Sequence, residues 1–227
     1  VIARTLIGLM NNANVGGIVL LAVKSGAGSA YKNMCAERFE EEARKTGKPF
    51  RIVYLTNVGG SYNMLGETLR LTREVLLEVS DFRRENCPLS ALTLGVKCGT
   101  SDATSGIAGN PCVGAAFDQL IRAGGTAFFS ETTEIIGAED LVAKRAVNES
   151  VAKKILSAAK HWEDKAKATG EDIRKINPIP ANIAAGISSL EEKSLGAIAK
   201  SGTSPIQDVL KYAEMPKGSG LYFVDSW

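Results

Sequence analysis

The sequence predicts an α/β protein with a mainly parallel sheet. Three observations lead there. Short apolar runs of strand length alternate with amphipathic helical patterns. The first run, Gly17–Val23, is continuously apolar, as in a strand buried on both faces. Each of the first four runs also gives way to residues rich in glycine, hydroxyl, amide or acid side chains.

In chain order, Ile2–Asn12 is helix-like and Asn14–Gly17 is a turn into the first strand. Ser25–Ser29 breaks that strand. Tyr31, Cys35, Phe39 and Ala43 then recur every four residues along one helix face, which Gly47-Lys48-Pro49 stops. Arg51–Thr56 is the second strand, closed by Asn57–Gly60. Tyr62, Leu65, Leu69, Thr72, Leu76 and Val79 are spaced as an amphipathic helix.

Ala91–Val96 is the third strand. Its helix carries Val113, Ala116, Phe117, Leu120 and Ile121, with Asn110 as N-cap and Pro111 in the first turn. Thr126–Ser130 is the fourth strand, and a long helix spans about Ala138–Lys167. Gly170–Gly186 reads as irregular. Leu190–Lys200 is a helix capped by Ser188 or Ser189, Ser204–Tyr212 a short helix, and Leu221–Val224 the last strand.

The 227 residues suit one domain or one and a half, with enough apolar side chains for a core. Twenty-seven basic and 25 acidic residues nearly cancel, and there is no basic block, so charge gives no case for nucleic acid. The longest apolar run, Ile18–Val23, is too short to cross a bilayer. No signal peptide is visible. Four scattered cysteines without a CxxC pair suit a reduced, cytoplasmic protein. The start at Val1 and the stop on a strand-like run are expected of a fragment.

Ligands of parallel α/β sheets bind beyond the carboxyl ends of the strands. That rule selects Lys24–Ser29, Asn57–Ser61, Lys97–Gly109 and Glu131–Gly137. The third loop is longer than the ~2–6 residues usual between strand and helix, and it holds a thiol, an amine and a carboxylate. Gly26-Ala27-Gly28 lacks the third glycine of a dinucleotide fingerprint, because position 31 is Tyr, and the second strand ends in Thr56-Asn57 rather than an acid.

The single histidine, His161, lies at the margin of a helix stripe, so proton transfer falls to Lys, Asp, Glu, Cys or Tyr. Cys35 reads as core, Cys87 as a loop residue and Cys112 as a small buried residue. Cys98, at a strand end beside Lys97 and Gly99, suits either a site thiol or a buried residue. Glu131 and Glu134 follow a strand end; they suit either a hard divalent cation or helix capping. By charge alone Glu191-Glu192 is a charged first helical turn.

From Cys98 through Pro111, CGTSDATSGIAGNP, the chain resembles the altronate/galactarate dehydratase family, which includes sulfolactate sulfo-lyase large subunits. Further stretches agree in order: Gly124–Ala127, Ser130–Glu139, Asn177-Pro178, Asn182, and Ile187–Ala197. The resemblance is strong from Leu92 to Asp225. Thr100 stands where relatives have a second glycine, Ala181 where they have Gly, and Gly28-Ser29 where many have Cys-Glu.

The resemblance implies a lyase that removes water from a sugar acid, or sulfite from sulfolactate, with iron or manganese as divalent metal. It implies a three-layer, Rossmann-like domain of variant topology over residues 90–227, incomplete here, after an α/β lobe over residues 1–89. It also implies a homodimer and a small companion domain or subunit. On this basis Lys193 or Lys97 is the expected base. Glu131, Glu134, Glu192 and Cys98 are the expected metal set. Asp102, Ser101, Ser105, Gly99 and Asn182 are expected on substrate. The reaction itself asks for such groups: a 2-hydroxy acid has a weakly acidic α-proton, and a divalent ion on its carboxylate and hydroxyl stabilises the enediolate.

Overall fold

The computed structural model describes residues 1–23 and 35–226. The chain divides into two compact units, Val1–Asn86 and Cys87–Trp227. Among the described residues, no helix is long and apolar enough to cross a membrane.

In the first unit, α1 (Ile2–Asn11) leads to β1 (Ile18–Ala22), and α2 (Ala36–Lys45) to β2 (Phe50–Tyr54). The strands pair in parallel, Ile18 opposite Phe50 and Ala22 opposite Tyr54. Met10, Phe39 and Ala43 form the core with Ile7, Ile18, Leu20 and Phe50. A single turn, α3 (Leu55–Val58), precedes the long α4 (Ser61–Ser80). The glycine turn Gly26–Ser29 and Tyr31 lie outside the described residues.

The apolar spacing identified α4 as a helix, but the side it buries is different. Leu71 and Val75 are its buried residues. Tyr62, Leu65, Leu69 and Leu76 are exposed. Val75 and Val79 lie so close to Gly17 that a Cβ there would stand 2.4 Å from Val75 Cγ1. That close approach decides which stripe of α4 packs.

The second unit is a four-stranded sheet in the order β3-β4-β6-β5, with every neighbour parallel. The strands are β3 (Thr93–Val96), β4 (Thr126–Phe129), β5 (Ile206–Lys211) and β6 (Gly220–Asp225). Phe117 of α5 (Asn110–Arg122) and Val151 and Ile155 of α8 (Glu149–Lys167) pack on Ala127, Phe129, Leu221 and Phe223. The rings of Phe129 and Phe223 sit 5.0 Å apart on the two central strands. Each such fully buried side chain contributes roughly 1.5–3 kcal/mol through loss of apolar surface from water.

Four expectations are corrected. Residues 206–211 form a strand, not a helix. A register shift between Ile206 and Asp208 places Ile206 opposite Leu221 and Val209 opposite Phe223. The extra residue gives a strand the three-residue apolar step that mimics a helix. The long helix is two: α7 (Glu139–Ala143) and α8, divided where the Asn148 side chain caps Val151 N at 3.0 Å.

The helix after β3 begins before Asn110. Ala103 and Thr104 are already helical, and a π turn at Ser105–Gly109 runs into α5. Asp102 Oδ1 accepts Ser105 N at 2.8 Å, the bond of an N-cap. Asn110 instead donates to Gly196 O at 2.8 Å. The irregular stretch contains two short helices, α9 (Ile173–Ile176) and α10 (Pro180–Ala184), before α11 (Leu190–Ala199). Ser189 caps α11 through Glu192 N.

Candidate active site

The carboxyl ends of β3, β4 and β6 meet at one polar cluster. β3 delivers Lys97 and Cys98. Two residues beyond β4, Glu131 takes a left-handed backbone (φ 76°, ψ 72°) and turns the chain into α6 (Thr132–Ile135). This conformation is sparsely populated by residues with a side chain and costs on the order of 1–2 kcal/mol. It is held from β6: Thr132 N donates to Ser226 O at 2.7 Å, Thr132 Oγ1 to Asp225 Oδ1 at 2.8 Å, and Ser226 N to Thr132 Oγ1 at 3.1 Å.

The Glu131 carboxylate is 6% exposed as a residue and has three donors. Lys97 Nζ reaches Oε1 at 2.9 Å, while Cys98 N and Lys200 Nζ reach Oε2, each at 2.8 Å. Lys200, 2% exposed, also donates to Glu134 Oε2 at 3.1 Å. One ligand atom from each of Cys98, Glu131 and Glu134 can be chosen so that all lie within 4.8 Å of one another.

Burial alone would push the Glu131 carboxyl up. The Lys200 ammonium, the Cys98 amide and Lys97 outweigh it and hold the acid below the usual glutamate range. Burial likewise pulls Lys200 down, but the carboxylates of Glu134 and Glu131 carry it above the usual lysine value. The hydrogen bond from Lys97 to Glu131 raises Lys97 as well. Both amines are therefore held as ammonium ions.

Lys200 is fixed by the turn that leads out of α11. Arg145 donates to Ser201 Oγ at 2.7 Å, to Ser201 O at 3.1 Å and to Ser204 O at 2.9 Å. Buried Asp118 accepts from the amides and hydroxyls of Thr203 and Ser204 at 2.6–3.0 Å. The turn lies tight on α5. A Cβ on Gly114 would stand 2.3 Å from Ala199 O, and one on Gly202 2.6 Å from Gly114 O. Gly202 also has φ +65°, which favours glycine.

A second arm leads away from Cys98. Its Sγ lies 3.1 Å from Ser101 Oγ. Buried Asn182 donates to Ser101 O at 3.0 Å and accepts from Lys193 Nζ at 3.1 Å. Lys193 Nζ also donates to Asn177 Oδ1 at 2.7 Å. The hydrogen bonds of Lys193 thus go to neutral amide oxygens, whereas those of Lys97 and Lys200 go to carboxylates.

Two cavities take in seven of the residues expected from the sequence, and Lys193 lines both; Cys98 and Asn182 line neither. One, of about 580 Å³, has Glu131, Glu134, Asn177 and Lys193 in its wall, together with Trp162 and Lys165. The other, of about 300 Å³, has Ser101, Asp102, Ser105 and Glu192. Lys97 lines neither and faces a separate cavity with Ser130 and Ser226. Gly99 sits in the loop between, with open space where a Cβ would stand.

Asp102 Oδ1 is engaged by Thr104 Oγ1, Ser105 N and Ser105 Oγ, which keep this carboxyl below its usual value. Glu192 lies apart from the Cys98, Glu131 and Glu134 trio. Its carboxylate accepts Ser188 N at 2.7 Å and the Ser188 hydroxyl, so it closes the start of α11. Cys112, expected to be buried, is exposed. Lys200 escaped the sequence reading. A lysine ending a helix pattern is already accounted for by the helix dipole, and no local spacing marks it as buried.

The fold and cluster define a parallel α/β domain with acids, a thiol and lysines gathered at the carboxyl edge of its sheet. Residues 89–227 match the family model described as D-galactarate/altronate dehydratase, C-terminal, and the chain belongs to that family. It is 36% identical over 227 residues to the (2R)-sulfolactate sulfo-lyase subunit beta of Chromohalobacter salexigens, covering 98% of this chain and 56% of that protein. It is 42% identical over 164 residues to the galactarate dehydratase (L-threo-forming) of Escherichia coli K12, covering 72% and 31%. It is 35% identical over 218 residues to the altronate dehydratase of Bacillus subtilis 168, covering 96% and 42%. The chain thus spans about half or less of the length of these relatives.

Proposed function

We propose that this chain forms part of a metal-dependent lyase that removes water from a sugar acid such as altronate or galactarate, giving a 2-keto-3-deoxy acid. The observation that carries the reading is that Glu131, Glu134 and Lys193 line one cavity. Relatives named as a sulfo-lyase subunit and an altronate dehydratase align over nearly the whole chain.

The donor set fits a divalent metal: two carboxylates and a thiol present ligand atoms within 4.8 Å of one another at a buried acid. Cys98, Glu131 and Glu134 would hold it, with Glu192 and Asp102 left to their helix ends. Iron or manganese there would supply Lewis acidity to the acid's carboxylate and hydroxyl.

The proton is then a matter for the lysines. A base must be able to lose its own proton first. Lys97 is raised by Glu131, which keeps it charged and makes it the poorer base. Lys193 leans on the neutral oxygens of Asn177 and Asn182 and faces the acid-lined cavity. It takes the α-proton at Nζ, while the two asparagines aim the amine. Ser101 and Ser105 line the smaller cavity, which Lys193 also lines and which would take the polyhydroxy chain, and Asn182 holds the Ser101 carbonyl in place.

A second reading has its own support. The sulfo-lyase subunit aligns over 98% of the chain at 36% identity, on a par with the altronate dehydratase at 96% and 35%. The same α-proton abstraction followed by loss of sulfite would make it a sulfolactate sulfo-lyase subunit, with a companion chain. We place the protein in the cytoplasm, where a thiol at the site stays reduced; among the described residues no cysteine is in a disulfide. We also propose that it works as a homodimer.

The test uses the full-length protein that carries this chain. Altronate, galactarate and sulfolactate are each supplied with and without ferrous iron or manganese, and keto acid and sulfite are measured. Turnover of a sugar acid supports the first reading, and sulfite release the second. Lys193→Met is expected to lower turnover at least a thousandfold while leaving folding and metal uptake intact. Turnover near the parent rate in that variant would remove Lys193 from the base role.

A further inference from the structure

We infer that the Lys200 ammonium is the resident cation of the Glu131–Glu134 pair, and that a divalent metal enters by displacing it. The inference rests on the metal reading above and concerns a residue that reading does not use.

Lys200 Nζ lies 2.8 Å from Glu131 and 3.1 Å from Glu134, bridging the two acids. Those are two of the three side chains whose ligand atoms converge with Cys98. The amine thus stands where a metal shared by these acids would need to approach.

Charge makes the same point. Two carboxylates face two ammonium ions, Lys97 and Lys200. A divalent ion held by the two carboxylates and the Cys98 thiolate, with both amines still in place, would leave an uncompensated positive charge in a largely buried cluster. Such an excess carries a heavy desolvation penalty. Lys97 is no obstacle, since its side chain is 68% exposed and reaches only Glu131. Lys200, with a side chain 3% exposed, is the group that must move.

The structure shows which part of Lys200 is held. Arg145 and Asp118 hold the residues immediately after it, and Gly114 and Gly202 pack backbone against backbone. The main chain is fixed. Displacement therefore falls to the four-carbon stem, which would have to change rotamer to carry the amine out of the acid pair. Lys200 is accordingly a positioning residue: it holds Glu131 and Glu134 together without metal and sets how tightly they take one.

The experiment is a manganese titration of the full-length protein, read from the free-ion electron paramagnetic resonance signal. Lys200→Met is expected to bind Mn²⁺ at least tenfold more tightly than the parent. Lys200→Arg, which keeps the charge, is expected to stay within about twofold. Adding Glu134→Gln to Lys200→Met is expected to abolish the gain. Equal or weaker binding by Lys200→Met overturns the inference, and so does a gain that survives Glu134→Gln.

Glu134→Gln in the parent background separates the two claims. If it weakens Mn²⁺ binding while Lys200→Met does not strengthen it, the metal reading stands and the displacement fails. If it has no effect on the parent, the acid pair is not the metal site and both fail. Should Lys200→Met not fold, the parent protein serves. Amidination of Lys200, followed by mass spectrometry, is expected to speed up several-fold under saturating Mn²⁺, and an unchanged rate overturns the displacement.

Discussion

The two units use charge in opposite ways. In Val1–Asn86 the ion pairs among the described residues are exposed. Most join neighbours on one helix, as in Arg44–Glu40, Lys45–Glu41 and Arg70–Glu67, and Arg51 reaches across to Glu78 with both partners partly exposed. In Cys87–Trp227 the central pairs join residues 69 and 66 positions apart, Lys200 to Glu131 and to Glu134, and are nearly closed to water. The first pattern solubilises helices. The second requires a fold to assemble it and is worth that requirement only if the acids and amines must stay charged at a fixed place.

The comparison breaks most easily at Glu131. Glu131→Ala leaves a buried ammonium with one partner fewer, and such losses cost about 3–5 kcal/mol. Glu78→Ala, which removes an exposed partner, is expected to cost less than about 1 kcal/mol. Urea unfolding, with hydrogen exchange resolved by unit, measures both. Similar costs at the two positions would erase the distinction.

Glycines sharpen it next. Gly114→Ala forces a Cβ to within 2.3 Å of a carbonyl oxygen and is expected to destabilise by about 1–3 kcal/mol. Gly8→Ala, inside α1 with nothing within 4 Å, is expected to stabilise by about 0.5–1 kcal/mol. Thermal unfolding reads the opposite signs.

Acidity ranks third. Glu131 titrates below its ordinary value of 4.5 in the folded protein, so its contribution is complete above that pH and is lost as the pH falls through the lowered folded value. Lys200 titrates above 10.5, so its contribution is complete below that pH and is lost as the pH rises through the raised folded value. Protection from hydrogen exchange in residues 87–226 is expected to drop first at these extremes. The smallest effect belongs to the exposed stripe of α4: Leu69→Ser is expected to change stability by less than about 0.5 kcal/mol.

Much of this was legible in the residues. Continuous apolar runs marked β1 through β4 and β6, and the carboxyl-end rule drew attention to the loops that carry Cys98 and Glu131. The failures have physical causes. A bulge gave β5 a helical spacing, and a cap at Asn148 interrupted a pattern that periodicity alone reads as continuous. Tyr62, Leu65 and Leu69 matched the helical period that Leu71 and Val75 actually use for packing. Lys200 was invisible because its partners are fixed only by tertiary structure. Glu192 reads by charge alone as a first-turn helix acid, and its carboxylate closes the start of α11 on Ser188.

The central claim is that Cys98, Glu131 and Glu134 converge to hold a divalent ion beside Lys193. Anomalous diffraction from crystals of the full-length protein grown with manganese tests it most directly. The account predicts a manganese peak within bonding distance of the Glu131 and Glu134 carboxylates and Cys98 Sγ, with the Lys200 amine turned away. A fully occupied manganese bound elsewhere, with Lys200 still bridging the two glutamates, would contradict it.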